Sequence, residues 1–550
     1  MMRKKVKSAV ILALFILLNQ YWSGIRAQAI DSSKCVEFKN NLSSIKLENV
    51  SITAVEYIGT GNFISAGGTV TYNSLPAFCR VAAILKPTPS SNIRIEVWLP
   101  CTNWNGRFLG TGTGGGAGSI SYNPLAGGIR RGYATANTDM GTSPGAGTLI
   151  DQPEKWADFG YRSTHEMTVV AKKIVQVFYG QAPHHTYFAG CSTGGQQALM
   201  EAQRFPEDYN GILAGAPANN RTHLHIDFLL NYKSTNEKPG TAFLPVGKLK
   251  FITDLVLKHC AGKDGGTPGD SFLTDPRACH FDPATIPICA EGKDSDSCLT
   301  PAQLAALKKI YDGPVNPRTG DRIYTSIPFG SENTAGGIIL QQNPQAVLGL
   351  LYPFIWTFGP AVDYMKFDFD KDIEKLDSVL APILNANNPD LNPLKKLKGK
   401  ILMYTGTADP LVPYQDALNY YERVVKQQKS LRKTQDFFRF FLVPGMAHCG
   451  GGNGPNDCGQ SLSLNVPQDS DHDMLTALVK WVEQGYAPEK LIATSFKYDS
   501  VKNEIMFQRP IFPYPKFPEY VKGDVKYPSS YKAVEHPRNG VLVPADKYLR

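Results

Sequence analysis

A serine in a glycine-rich turn between a strand-like and a helix-like segment constrains this chain most strongly. The turn reads Gly190-Cys191-Ser192-Thr193-Gly194, follows the run Thr186-Tyr187-Phe188-Ala189 and precedes a helical pattern from Gly195 to Arg204. A strand, a sharp turn and a helix in this order place the serine hydroxyl at the carboxyl edge of a sheet, where a general base can reach it. The pattern therefore predicts a nucleophilic serine in an α/β protein, although turn serines also occur as purely structural residues.

Two further strand-like runs lead to residues that could complete a catalytic set. Asp409 follows the run Lys400–Tyr404, and His448 lies in the loop after Phe438–Val443. The chain order serine, aspartate, histidine is the order found in α/β-hydrolases. We therefore predict that Ser192 is the nucleophile, that His448 is its general base and that Asp409 orients the imidazole. The alternative for Asp409 is a turn aspartate, since Asp-Pro sequences favour turns.

Backbone N–H groups near the serine are expected to stabilise the oxyanion of a tetrahedral intermediate. Thr193, directly after the serine, supplies one predicted donor. The second is Gly114 or Gly115, in the glycine-rich loop Gly110–Gly118 that follows the strand-like pair Phe108-Leu109. No Lys-Ser/Thr pair follows this loop and no acidic residue is placed to bind a ribose, so an oxyanion role is favoured over nucleotide binding.

The remaining sequence divides into a β-rich beginning, an interrupted α/β pattern and an insertion. Apolar and polar residues alternate between Val50 and Trp98, and Ser163 with Glu166 forms a capping-box pattern for a helix to about Tyr179. Between about 221 and 395, clusters of Gly, Pro and Asp replace these patterns. The predicted order is a signal peptide (1–29), the first part of an α/β catalytic domain (30–220), an inserted domain (221–395) and the second part of the catalytic domain (396–550).

The first 29 residues have the features of an export signal. Basic residues between Arg3 and Lys7 precede an apolar stretch from Ala9 to Leu18, and Ala27-Gln28-Ala29 is an A-x-A cleavage site. The apolar stretch is shorter than the roughly 20 residues of a membrane span, and an uncleaved anchor is the alternative. We expect a secreted or periplasmic protein without a membrane attachment after cleavage. Loss of the basic leader lowers the formal net charge of +8, so a nucleic-acid partner is not expected.

The ten cysteines all follow the predicted cleavage site, and an even number in an exported protein favours disulfides. Cys191 and Cys449 adjoin the predicted nucleophile and base, so a bridge between them would hold the serine near the histidine. The other expected pairs are Cys35 with Cys79, Cys260 with Cys279, and Cys289 with Cys298. Cys101 and Cys458 remain, and their mutual pairing is our assumption. The other histidines, His165, His184, His185, His223 and His225 among them, are expected to be structural or surface groups.

Three segments of the chain resemble the tannase/feruloyl esterase family, whose hallmark is a serine and a histidine bridged by neighbouring cysteines. These segments are Gly190–Gly195, Gly406–Pro410 and Pro444–Gly452, and similar residues at 104–108, 158–162 and 215–220 extend the likeness over nearly the whole mature chain. The resemblance implies an α/β-hydrolase fold with a doubly wound sheet and a lid domain at about 221–395. It also implies esters of an aromatic acid as substrates: ferulate, gallate or the mono-ester of terephthalate.

Members of that family usually hold a structural calcium ion in a lid loop of the form C-D-x-x-D-G-x-x-D-G. Here Ala261 stands in place of the first aspartate, and Asp270 comes two residues late. The remaining candidate ligands are Asp264 and Asp270 with backbone oxygens near Gly266 and Phe272. Calcium prefers six to eight oxygens, so a structural calcium is an expectation with one carboxylate missing. No cofactor is expected for catalysis.

These observations together predict a secreted serine esterase that forms an acyl-enzyme on Ser192. A feruloyl esterase that acts on feruloylated plant cell-wall polysaccharide is the favoured reading. A tannase or a terephthalate mono-ester hydrolase is the near alternative, and a peptidase with the same triad is disfavoured by the resemblance alone. The non-enzymatic alternative is an inactive hydrolase-fold binding protein. The oligomeric state is not predicted.

Overall fold

The structure, a computed structural model, describes residues 32–41, 47–65, 68, 70–237, 240–497 and 504–549. The predicted signal peptide, residues 1–29, lies outside this part of the chain. In the part that is described, no helix has both the length and the apolar character needed to cross a membrane.

Strands and helices alternate between residues 107 and 215 and again between residues 400 and 496, with runs of strands alone before and after. The strands are β1 Val50–Ile58, β2 Gly61–Ile64, β3 Thr71–Leu75, β4 Phe78–Leu85, β5 Ile93–Pro100, β6 Arg107–Thr111, β7 Ala134–Thr138, β8 His185–Cys191, β9 Gly211–Gly215, β10 Lys400–Gly406, β11 Phe438–Val443, β12 Leu491–Phe496, β13 Ile505–Ile511, β14 Lys516–Tyr520 and β15 Tyr531–Glu535. The α-helices are α1 Ser32–Asn41, α2 Tyr122–Arg130, α3 Pro153–Ala157, α4 Ser163–Tyr179, α5 Thr193–Arg204, α6 Arg221–Asn236, α7 Val246–Cys260, α8 Pro301–Asp312, α9 Ile338–Gln341, α10 Pro344–Val347, α11 Tyr352–Phe358, α12 Asp372–Leu384, α13 Asn392–Lys396, α14 Tyr414–Gln428, α15 Leu431–Gln435 and α16 Met474–Gln484.

A nine-stranded sheet forms the centre of the molecule, in the order β1-β4-β5-β7-β6-β8-β9-β10-β11. The strands from β7 to β11 along this order pair in parallel, whereas the pairs β1–β4, β4–β5 and β5–β7 are antiparallel. Parallel strands need helical crossovers, which cover both faces of the sheet. The predicted α/β-hydrolase fold, with its doubly wound sheet, is confirmed.

The two faces of the sheet have separate apolar cores because alternate side chains of each strand point to opposite faces. On β8, Tyr187 packs in the same core as Trp481 of α16, while Phe188 packs in the core that contains Met167 of α4 and Tyr421 of α14. A strand that is buried on both faces has an almost continuous apolar sequence. This explains why the sequence around β8 and β10 predicts strands by apolar run and not by alternation.

The segment between β9 and β10 forms helices α6 to α13 and, in its described residues, contributes no strand to the central sheet. Part of it has an apolar core of its own, with Leu249, Leu307 and Ile310 among its buried members. Another part packs against the first third of the chain, where Phe228 and Phe159 belong to one core cluster. The boundaries at 221 and 395 and the function of this segment as a lid remain predictions.

The start of helix α4 differs from the sequence-based expectation. Arg162 precedes the helix in α-helical backbone geometry, and the hydroxyl of Ser163 makes no hydrogen bond. A π-helical turn, Asp158–Arg162, continues directly into α4. The capping-box prediction for Ser163 and Glu166 is therefore wrong, because the chain is already helical where the cap was expected.

The structure contains four disulfides: Cys35–Cys79, Cys191–Cys449, Cys260–Cys279 and Cys289–Cys298. The assumed bridge between Cys101 and Cys458 is not among those that the described residues form. Cys101 packs in the core on one face of the central sheet and Cys458 in the core on the other face. The sheet itself separates the two thiols, and sequence spacing carries no information on that separation.

Candidate active site

Ser192 occupies the turn between β8 and α5 in a backbone conformation that side-chain-bearing residues rarely adopt. Its φ is 65° and its ψ is −121°. Its N–H donates a hydrogen bond to the carbonyl of Gly215 at 3.0 Å, and its carbonyl accepts one from the N–H of Gln196 at 3.0 Å. Strain of this kind costs about 1–3 kcal/mol and persists only where the surroundings hold it. The sharp turn places Ser192 at the carboxyl edge of the sheet, as the sequence pattern predicts.

The glycines around Ser192 allow three backbone segments to approach each other closely. A Cβ on Gly190 would lie 2.5 Å from the carbonyl oxygen of Gly194, and a Cβ on Gly112 would lie 2.6 Å from the Cα of Gly194. Both distances are shorter than real contacts, so no side chain is tolerated at either position. This close approach brings the loop after β6 next to the start of α5, where a reacting carbonyl oxygen would need donors.

His448 and Asp409 form a hydrogen-bonded pair at the ends of two adjacent strands. Nδ1 of His448 lies 2.8 Å from Oδ2 of Asp409, whose side chain is 0% exposed. Oδ1 of Asp409 accepts hydrogen bonds from the N–H groups of Leu411 and Val412, both at 2.9 Å. The carboxylate is therefore fixed by three donors and holds the imidazole with Nδ1 protonated. Nε2 is then the ring nitrogen that can accept a proton from a nucleophile.

The disulfide Cys191–Cys449 connects the turn that carries Ser192 to the loop that carries His448. Its Cα atoms are 5.9 Å apart although 258 residues separate the two cysteines in sequence. Each cysteine is the direct neighbour of a predicted catalytic residue, and all four residues line one cavity. The bridge therefore limits how far the histidine loop can move from Ser192.

A buried arginine, Arg221, hydrogen-bonds both to the glycine-rich loop and to Thr193, the residue after Ser192. The carbonyl of Gly115 accepts hydrogen bonds from the hydroxyl of Thr193 at 2.7 Å and from Nη2 of Arg221 at 3.3 Å. Nη1 of Arg221 also donates to the Thr193 hydroxyl at 2.9 Å, and its Nε donates to the hydroxyl of Tyr352 at 2.7 Å. Thr193 and Gly115 are thus joined to each other, and both line the cavity at Ser192 together with Gly114, the third predicted oxyanion residue.

Arg221 carries a positive charge into the interior beside the predicted oxyanion position. Its exposed fraction is 4%, and no carboxylate among the described residues forms an ion pair with it. Sequence reasoning missed Arg221 because it lies in no catalytic motif. A basic residue at the first position of the helix after β9 gives no signal of its own.

The cavity at Ser192 has a volume of about 360 Å³. Its walls combine the catalytic candidates with apolar side chains of both the catalytic domain and the inserted segment, including Leu224, Phe228, Leu350, Leu411 and Val412. Small-molecule sites are typically apolar pockets with a few directed polar groups. A larger cleft of about 920 Å³ lies between α12 and the carboxyl-terminal residues. That cleft contains none of the three predicted catalytic residues, so the smaller cavity is the candidate active site.

His225 is a polar group beside the apolar side chains in the wall of this cavity. Its Nδ1 hydrogen-bonds to the carbonyl oxygen of Leu350, and burial lowers the pKa of His225 well below its ordinary value. A neutral ring that donates through Nδ1 has Nε2 as a hydrogen-bond acceptor. The expectation that His225 is a structural or surface group is therefore incomplete, because the ring also lines the cavity that contains Ser192.

The candidate calcium residues are occupied by other partners. Asp264 accepts hydrogen bonds from the N–H groups of Gly262 and Gly266 at 3.2 Å each and of Thr274 at 2.5 Å. One oxygen of Asp270 accepts from the N–H of Thr267 at 2.8 Å. Its other oxygen forms an ion pair with Arg509 at 3.0 Å. Calcium requires a shell of oxygen ligands. The two candidate carboxylates, Asp264 and Asp270, do not fit such a shell, because Asp270 is already paired with the cationic Arg509.

Comparison with known proteins identifies the family. The family model described as tannase and feruloyl esterase matches residues 79–534. The chain belongs to the tannase and feruloyl esterase family. This tannase and feruloyl esterase family member is a carboxylic ester hydrolase, as the sequence motifs indicate.

Curated relatives and solved structures of this family cover almost the whole chain. An uncharacterized esterase of Xanthomonas campestris is 35% identical over 91% of this chain and 92% of its own length. A probable feruloyl esterase B-2 of Aspergillus terreus is 32% identical over 84% of this chain and 88% of its own. The crystal structure of feruloyl esterase B from Aspergillus oryzae superimposes with a TM-score of 0.83 at 27% identity, over 91% of this chain and 99% of that one. A tannin acyl hydrolase from Aspergillus niger shares the fold, with a TM-score of 0.72 at 21% identity.

Proposed function

We propose that this esterase is secreted and hydrolyses feruloyl-type esters of plant cell-wall polysaccharide through an acyl-enzyme on Ser192. The main observation behind the proposal is the cavity of about 360 Å³, which is lined by Ser192, His448, the glycine-rich loop and several apolar side chains. Similarity to proteins named feruloyl esterase supports the substrate class. The disulfides support an oxidising compartment, because such bridges are rare in the cytosol.

In the first proposed step, Oγ of Ser192 attacks the ester carbonyl carbon while its proton passes to Nε2 of His448. The carbonyl oxygen becomes an oxyanion, which accepts hydrogen bonds from the N–H of Thr193 and from that of Gly114 or Gly115. The intermediate then expels the alcohol oxygen, which takes the proton from His448. Asp409 stabilises the imidazolium that forms between these two events.

In the second proposed step, water replaces the alcohol. It attacks the acyl carbon of the Ser192 ester, gives a proton to His448 and forms a second tetrahedral intermediate at the same oxyanion donors. Collapse of this intermediate returns the proton to Oγ of Ser192 and releases the aromatic acid. Both steps use one base and one set of donors, so no cofactor is needed.

The apolar side chains in the cavity wall support the proposal of a hydroxycinnamoyl group over a galloyl group. Leu224, Phe228 and Leu350 can pack on an aromatic ring and its methoxy group, and burial of such surface is favourable. Nε2 of His225 can accept one hydrogen bond from a phenolic hydroxyl. A galloyl group carries three adjacent hydroxyls, and a hydroxyl that is buried without a partner costs about 1–3 kcal/mol.

A hydrolysis panel tests this proposal. Methyl ferulate, methyl gallate and a terephthalate mono-ester are compared by kcat/KM, and we expect methyl ferulate to be preferred. Preference for methyl gallate would favour the tannase reading, and cleavage of none of the three would overturn the substrate class. The mechanism is tested separately with a p-nitrophenyl ester, for which we expect a burst of p-nitrophenol from the wild type. Ser192→Ala should abolish both burst and turnover without loss of the folded state, and retained turnover would refute the proposed nucleophile.

A further inference from the structure

The loop between Cys260 and Cys279 is joined to the carboxyl-terminal strands by a buried ion pair. Nη2 of Arg509, on β13, lies 3.0 Å from Oδ1 of Asp270, and the two side chains are only 4% and 7% exposed. Nη1 of Arg509 donates to the backbone carbonyls of Gln508 and Val525. The pair is therefore desolvated, and the donors of the guanidinium are directed by backbone as well as by carboxylate.

Aromatic rings enclose the same guanidinium. Its central carbon lies 4.5 Å from the ring centroid of Tyr531, 4.9 Å from that of Phe507 and 6.0 Å from that of Phe272. Phe272 and Phe507 are themselves stacked at 6.2 Å. Arginine is well suited to such a site because its planar cation can stack on rings and bond a carboxylate at once.

We propose that the Arg509 guanidinium takes the structural place of a calcium ion in this loop, and that the protein is a metal-independent member of its family. The loop has lost one carboxylate to Ala261, and Asp264 is saturated by three backbone N–H groups. Asp270, the other carboxylate, is neutralised by Arg509. A permanent internal cation thus supplies the charge that Asp270 needs, without the six to eight oxygens of a calcium shell.

Arg509 is also connected to the loop that carries His448, through contacts of Phe272 and Leu273. The carbonyl of Leu273 accepts a hydrogen bond from the hydroxyl of Thr407 at 3.0 Å, and that hydroxyl accepts one from the N–H of Gly445 at 2.8 Å. A Cβ on Gly445 would lie 2.4 Å from Cβ of Phe272, so the two segments are in tight contact. Gly445 begins the loop that carries His448. Arg509 is therefore a positioning residue: it holds the loop against which the histidine loop packs.

The first experiment tests the absence of a metal requirement in the full-length protein. Melting temperatures are compared after dialysis against EGTA and after addition of millimolar calcium chloride, and bound calcium is measured by elemental analysis. We expect identical melting temperatures and no stoichiometric calcium. A site present at about a hundredfold its dissociation constant would raise the melting temperature by several degrees. Such a rise, or one calcium per chain, would overturn the proposal.

The second experiment removes the cation. Arg509→Met should lower the melting temperature and, well below it, lower kcat for p-nitrophenyl acetate by about tenfold with little change in KM, because the histidine is displaced. Arg509→Lys should recover part of kcat. Lys532→Met is the matched control, since it removes the exposed Lys532–Glu519 pair of the neighbouring hairpin. If Arg509→Met does not fold, Asp270→Asn tests the same pair with almost unchanged volume. Wild-type stability and kcat in the variant that folds would refute the assigned role.

Discussion

The disulfide Cys191–Cys449, between the turn that carries Ser192 and the loop that carries His448, leads to the most decisive prediction. Replacing both Cys191 and Cys449 with alanine opens a covalent loop of 258 residues. The chain-entropy relation gives a stabilisation of about 5.6 kcal/mol for a loop of this length, and measured bridges often contribute less. A loss of this size alone predicts a lower melting temperature and less folded protein.

The bridge should contribute to the rate as well as to stability. It joins the residue before Ser192 to the residue after His448, so its removal leaves the histidine loop held only by hydrogen bonds and packing. A displacement of roughly 1 Å between nucleophile and base can reduce the rate by about a hundredfold. We therefore expect kcat of the double variant to fall by about ten- to a hundredfold for each correctly folded molecule.

The assay must separate folding from catalysis. Folded protein is quantified by near-ultraviolet circular dichroism, and kcat for p-nitrophenyl acetate is expressed per folded molecule at a temperature well below the melting point. The control variant replaces Cys289 and Cys298, a bridge between residues nine apart, with alanine. Its expected loss is about 2.6 kcal/mol of stability with unchanged kcat. An unchanged kcat in the Cys191→Ala/Cys449→Ala variant would refute the positioning role of the catalytic bridge.

Three further variants test residues of helix α6, namely Arg221, His225 and Asp227. Arg221→Met should lower kcat about ten- to a hundredfold with little change in KM, because the Gly115 carbonyl loses a donor that holds the glycine-rich loop in place. Arg204→Met, the control at an exposed arginine, should change neither constant. His225→Leu should reduce the preference for methyl ferulate over its 4-O-methyl ether by about fivefold, the value of one hydrogen bond, and an unaltered preference would exclude His225 from substrate recognition. Burial raises the pKa of Asp227 to about 8, so the fold favours the protonated carboxyl and loses stability as the pH rises towards 8. Asp227→Asn should therefore raise the melting temperature at pH 9 more than at pH 5, and an equal change at both would contradict this account.

The fold and the three catalytic candidates, Ser192, Asp409 and His448, could be predicted because they depend on local sequence patterns. Strand β11 occurs at the residues that the apolar pattern indicates, and β10 extends the predicted run by two residues. Their signals are strong because each element is buried, so that its sequence must be apolar on one face or on both. The nucleophile turn is likewise determined by short-range sterics, which require glycine on either side of the serine.

The residues that could not be predicted act through contacts between distant segments. Arg221 and His225 lie on a helix of the inserted segment, yet they line the cavity with residues of the catalytic domain. The pair Asp270 and Arg509 joins two segments that are far apart in sequence. The spacing of apolar residues along the sequence does not indicate such contacts, since each contact depends on how separate helices and strands pack together. The capping-box pattern at Ser163 failed for a related reason, because a local motif was overridden by a preceding helical turn.

The distance in sequence between Cys191 and Cys449 has a consequence for biosynthesis. At synthesis rates of about 5–20 residues per second, Cys449 emerges roughly 13–50 s after Cys191. During that interval the Cys191 thiol coexists with four cysteines of the inserted segment, any of which could form a mixed bridge with it. Correct maturation then depends on thiol–disulfide exchange that resolves such bridges. Recombinant yield of active esterase should accordingly respond to co-expression of a disulfide isomerase more than to slower growth or lower temperature.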